Sequence, residues 1–131
     1  MIKITAADRY FSLCVRKRAG WACERCGARH APPTGALHCA HIMGRSSWST
    51  RIDPDNAVSL CMGCHLYFTG RPAEFMRWIE SRVGLHNLER LRMLSRIPAR
   101  GLKRRVREIA RHYRNEYDRM ALGGEFEGWA G

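Results

Sequence analysis

The sequence predicts a small α+β domain with a β-β-α core, an N-terminal helix and a helical, basic C-terminal half. Three observations carry this expectation. Two Cys-x-x-Cys pairs, Cys23/Cys26 and Cys61/Cys64, enclose two short strand-like segments, and the chain beyond them is patterned with apolar residues at helical spacing. At 131 residues there is room for one compact domain. Its 45% hydrophobic content permits a core, although a domain of this size gains from a metal staple.

Taken in order, residues 6–19 read as a first helix. Thr5 and Asp8 resemble a capping box, Ala7, Phe11 and Cys14 share a face, and Gly20 stops the helix. WACERCG then forms a tight knuckle in which Gly27 relieves backbone crowding. After the Pro32–Pro33 break, residues 36–43 form a short strand ending near His41. GRSSWSTRIDPDN is loop-like, with Pro54 and Asn56 as turn residues. Ala57 to Leu60 form the second strand, and a helix starting around Cys61–Cys64 carries His65. Pro72 opens the next helix, with Phe75, Trp78, Ile79 and Val83 on one side and Gly84 at its end. Leu85, Leu88, Leu91 and Leu94 mark a shorter one, closed before Pro98. The last helix carries Leu102, Val106, Ile109, Tyr113, Tyr117 and Met120 as a stripe and ends at Gly123–Gly124. The single domain, 1–131, thus divides into a helix (5–20), a stapled core (21–70), a helical basic extension (71–122) and a flexible tail (123–131). In that tail Phe126 and Trp129 are free to dock on a partner.

Composition narrows the compartment and the partners. No apolar run approaches twenty residues, and MIKITAADRYFSL lacks the layout of a secretory signal, so a cytoplasmic setting without a membrane partner is expected. In a reducing compartment paired cysteines read as metal ligands before disulfides. The formal charge is +11, and 20 of the 23 basic residues are arginine, which points to a polyanion, with nucleic acid favoured. Arginine's forked donors match phosphate oxygens bidentately.

Four thiolates satisfy tetrahedral zinc with no open position, so Cys23, Cys26, Cys61 and Cys64 are the expected ligands of a structural Zn²⁺. Cys14 and Cys39 fall outside the pairs and read as buried small residues. Inside the staple stand His41, Asn56 and His65. Hydrolysis of a phosphodiester needs a base for water and a cation to offset charge on the leaving oxygen. A neutral imidazole at a strand end suits the base, and that role goes to His41. His65, on the facing helix, suits a metal ligand. Asn56 cannot titrate, so its use is positional.

AHI, DPDN and LCMGCH resemble the HNH, or ββα-metal, endonuclease motif. DRYFSLCVRKRAGWACERCG, HCAHIMGR, RIDPDNAVSLCMGC, TGRPAEFMRWIESRVG and LERL together resemble the phage NinG (Rap) recombination-nuclease family over residues 8–95. The resemblance implies cleavage of DNA, duplex or branched, dependent on a divalent ion such as Mg²⁺ or Mn²⁺, in a bacterial or phage-infected cell. Ala40 stands where many HNH enzymes carry an Asp or His ligand, and His65 where the NinG-like pattern carries Asn. The second ligand of the catalytic metal is therefore open between His38, which strand alternation puts on the face opposite His41, and His41 itself.

DNA contacts are expected from Arg45 and Arg51, which flank Trp48 in the loop between the strands. On the last helix Lys103, Arg104, Arg105, Arg107, Arg111 and Arg114 lie off the apolar stripe and serve the same purpose. Such contacts give affinity and salt dependence without sequence readout. Arg16, Lys17 and Arg18 lie beside the knuckle. The Tyr113–Tyr117 stripe is available either to the monomer core or to a homodimer. The rival reading is a non-catalytic zinc-containing nucleic-acid-binding module built from the same cysteines and arginines.

Overall fold

The computed structural model describes residues 2–32, 34–99 and 101–131. Helix α1 (Ala6–Arg18) is opened by the expected capping box: the Thr5 hydroxyl accepts from the Asp8 amide at 3.2 Å and the Asp8 carboxylate accepts from the Thr5 amide at 2.7 Å. Gly20 ends it at φ +67°, and Trp21 follows at φ +56° with its ring buried. The knuckle closes through an Ala22–Arg29 bridge. Gly27, at φ +79°, lets the chain double back just after the second of its two cysteines.

Strands β1 (Leu37–His41) and β2 (Ala57–Cys61) pair antiparallel, with His41 opposite Ala57 and His38 opposite Leu60. The pairing is shorter than the 36–43 expected for the first strand, because at Ile42 the chain departs towards Asn56, whose carbonyl takes the Ile42 amide. The connection is more ordered than a loop. It holds a one-turn helix α2 (Trp48–Arg51) and a 3-10 turn, Pro54–Asn56. Helix α3 (Met62–Thr69) follows β2 directly, and Cys61 is its N-cap. Then come α4 (Pro72–Val83), α5 (Leu85–Ser95), a 3-10 turn (Leu102–Arg105) and α6 (Val106–Arg119). Leu102 thus precedes the last helix, which ends before Met120.

The hairpin separates two cores. On one face α1 packs along α6, and Phe11, Val15, Ile109 and Tyr113 close over Cys39 and Ala57. On the other face Trp21, Phe68, Ile79, Leu88 and Leu91 close over Ala40, Val58 and Leu60. The Tyr113–Tyr117 stripe is therefore core of the monomer. Among the described residues no helix is long and apolar enough to cross a membrane.

The C-terminal tail is not the flexible segment expected. Phe126 is 5% exposed and meets Phe11 and Tyr113 with ring centroids 6.0 Å away in each case. The Glu127 amide donates to Glu116 and the Trp129 amide to the Tyr113 hydroxyl, which itself donates to the Ile52 carbonyl. Two aromatic side chains fill the end of a core that α1 and α6 leave open, so Phe126 is not available to a partner.

Candidate metal and nucleic-acid site

The four paired cysteines converge, their Sγ atoms all within 4.8 Å of one another. Zinc–sulfur bonds of about 2.3 Å in a tetrahedron put the sulfurs about 3.8 Å apart. Cys26 and Cys61 stand at 3.8 Å. The donor set and its spacing thus fit a structural zinc ion. Local geometry prepares it: the amides of Cys26 and Cys64 point at the sulfurs of Cys23 and Cys61, each at 3.5 Å. Burial raises the Cys64 thiol to about 12, whereas backbone amides outweigh burial at Cys23 and bring it down to about 6. Without a cation, four thiolates in this space repel one another. Arg25 lies over the Tyr67 ring and donates to the Cys64 sulfur at 3.4 Å. Cys14 and Cys39 take no part, and burial pushes both thiols up to about 12.

His38 and His65 meet on the α3 face, with Nδ1 atoms 3.0 Å apart. Two imidazole nitrogens bound to one cation at about 2.1 Å stand about 3.0–3.4 Å apart, so this pair has the spacing of neighbouring ligands. His38 lies two residues before Ala40, and Ala40 itself is buried in the α3-side core. Burial, then the neighbouring His38 and Arg45, lower the His65 pKa. His41 does not join this pair. Among the described residues the cysteine cluster is the one group of three or more close metal-binding side chains. Of the two candidates for a second ligand beside His65, the neighbour is His38, because alternation along β1 turns His41 to the α1 face.

There the His41 ring lies half-buried, 6.0 Å from Phe11 between centroids. Its Nε2–H donates to the Arg51 carbonyl at 2.9 Å, which fixes the tautomer and leaves Nδ1 without a proton. Burial first, and then the charge of Arg45, hold its pKa below the ordinary value. Asn56 is fully buried and makes three bonds. It accepts from the Met43 amide at 2.7 Å and donates to the carbonyls of Met43 and Thr50 at 3.0 and 2.9 Å. It clamps both ends of the inter-strand connection, and so places the Arg51 carbonyl.

Arg51 is not a DNA contact. Its side chain is buried and bidentate to Asp8, Nε–Oδ1 2.9 Å and Nη2–Oδ2 2.7 Å, with Nη2 also reaching the Lys3 carbonyl. Trp48 stacks on the same guanidinium at 4.2 Å. Arg105 is also engaged within the chain, by Glu108, the Gly131 carbonyl and the Trp129 ring. Lys103, Arg104, Arg107, Arg111 and Arg114 are exposed as expected.

Arg45 lines a cleft of about 500 Å³ with His41, Arg9, Ser12 and Arg16. Its buried Nε has no hydrogen-bond partner among the described residues. Arg9 and Ser12 escaped the sequence reading, which had Arg16 only beside the knuckle. Their one signal was the i, i+3, i+7 spacing of Arg9, Ser12 and Arg16 on α1. No family model, curated protein or solved structure matches the chain. The HNH resemblance rests on its motifs alone.

Proposed function

We propose that the protein is a divalent-metal-dependent endonuclease of the HNH type, hydrolysing DNA phosphodiester bonds. The observation that carries the reading is the His41 tautomer: Nε2–H is held by a backbone carbonyl, so Nδ1 is a neutral base beside an arginine-lined cleft. With its pKa lowered, the ring is unprotonated at neutral pH and ready to accept a proton from water. Arg45, which lines the cleft with His41 and whose charge is also felt at His65, would hold the scissile phosphate. Asn56 and the Asp8–Arg51 pair keep the carbonyl in place while the ring takes and returns the proton. His38 and His65 would hold the catalytic cation, with water and phosphate completing its shell. Bound there, such an ion supplies charge for the departing oxygen. Two imidazole donors suit Mn²⁺ better than Mg²⁺, which prefers an all-oxygen shell.

The test is a cleavage assay on plasmid and four-way-junction DNA with Mn²⁺, Mg²⁺ or EDTA. His41→Ala is expected to lower the rate about 10²–10⁴-fold with zinc content and DNA affinity unchanged. Cutting by His41→Ala at the wild-type rate overturns the assignment. Binding without cutting under any divalent ion would establish the zinc-containing binding module in its place.

A further inference from the structure

The cleft beside His41 has a composition that a phosphate alone does not need. Ile4, Leu13 and Cys39 form apolar walls, and Arg9, Arg16 and Arg45 stand among them. Asp8 also lines the cleft, but its carboxylate is neutralised by the bidentate Arg51. The net local charge is therefore positive. One of the arginines is held in place from behind, and another has an unused donor. Arg16 donates to the carbonyls of Ser12 and Thr34, and Arg45 is half-buried with an Nε that has no partner among the described residues. About 500 Å³ is the size class of pockets that enclose small molecules, roughly 300–1,000 Å³.

We propose that this cleft takes one unpaired nucleotide of the substrate strand, base against the apolar walls and flanking phosphates on the arginines, next to the bond attacked by the water that His41 deprotonates. The substrate class follows from duplex geometry. A paired base lies inside the stack and enters a cleft only by leaving it, at a cost of a few kcal/mol that falls for mismatched or single-stranded nucleotides. A surface built for paired DNA would track phosphates without apolar walls. The cleft therefore favours a nucleotide already outside the stack over one held within it. This inference rests on the nuclease reading for the position of the cut, whereas nucleotide binding can be read without any cleavage.

The experiment uses the full zinc-loaded chain, with amide resonances followed during titration by thymidine 5′-phosphate, deoxyribose 5-phosphate and inorganic phosphate. The nucleotide should perturb Ser12, Leu13 and Cys39 and bind about tenfold or more tightly than deoxyribose 5-phosphate. Ser12→Phe, which fills the cleft, and Ile4→Ser, at an exposed wall position, should each remove most of that advantage. Should Ser12→Phe fail to fold, Ile4→Ser still carries the test. Equal affinity for the three ligands, or no shift at those amides, overturns the proposal. In the cleavage arm, a duplex with one unpaired nucleotide should be cut about tenfold faster than its matched counterpart, and equal rates overturn the proposal as well. Nucleotide binding with no cutting of any DNA would sink the nuclease reading and leave the cleft standing. Cutting without nucleotide binding would do the reverse.

Discussion

The two faces of the β1–β2 hairpin are held by different physics. On the α3 face, the knuckle and the start of α3 are brought together at four sulfurs spaced to hold a metal ion. On the α1 face, Asp8, Arg51, the Arg51 carbonyl and His41 form a chain of direct bonds, backed by a core of α1, α6 and the tail. One face has a place for an ion and the other is closed by direct bonds alone. The proposed chemistry draws on both, the cation pair from the first and the base from the second.

The sharpest way to break this comparison is to remove the zinc. Binding at structural zinc sites in small peptides is worth about 10–16 kcal/mol, more than any side-chain replacement offers. Chelation, or Cys61→Ser, should strip exchange protection from residues 21–30 and from α3 while α1 and α6 keep theirs. Hydrogen exchange read by mass spectrometry checks this. Uniform loss across all helices would mean the two faces are a single cooperative unit.

Next in size is the Asp8–Arg51 pair. Removing one partner of a buried ion pair costs about 3–5 kcal/mol, because the other charge is left uncompensated. Asp8→Ala and Arg51→Met should each lower stability by about that much in urea unfolding. The double replacement should cost clearly less than their sum. Both should also slow cleavage through the displaced carbonyl, without loss of zinc. Strict additivity would show that the pair is not coupled.

These two regions were unequally legible in the sequence. Cys-x-x-Cys is a local pattern whose spacing already states its geometry, and the helices announce themselves by caps and apolar stripes, as at Thr5–Asp8 and Pro72–Gly84. The α1 face is made of contacts across long sequence separations, and no local pattern marks them. Asp8 reads as a cap and nothing more, yet its free lone pairs take Arg51, 43 residues away. That contact turns a candidate DNA-binding arginine into an internal strut. The His38–His65 pairing needed the strand register and helix position together. The tail EFEGWAG has no periodicity, and its burial is decided by an opening between α1 and α6 that only the assembled fold possesses.

Phe126→Ala tests that last point. Emptying a buried phenylalanine site costs about 3 kcal/mol at the lower end of measured cases. Thermal unfolding of the variant should show the loss on the α1 face, with the metal content unchanged. A loss below about 0.5 kcal/mol, the range of ordinary surface substitutions, would restore the flexible tail.

The smallest effect is electrical and crosses the hairpin. His41 and His65 both have lowered pKa values in the folded chain, with burial as the first cause and Arg45 contributing to each. The unfolded chain therefore binds protons first. The stabilisation associated with these neutral rings is full above the unfolded value near 6.5. It is lost as pH falls through 6.5 towards the folded values, so stability should decline across that window. Histidine ring resonances followed by NMR in metal-free buffer should titrate below 6.5 for both residues. Arg45→Gln removes a positive charge from both environments and should move both titrations upward, though burial keeps them below the ordinary value. If only His41 moved, Arg45 would belong to the cleft alone. Movement of both would establish that its charge reaches the base and the cation pair alike, on opposite faces of the hairpin.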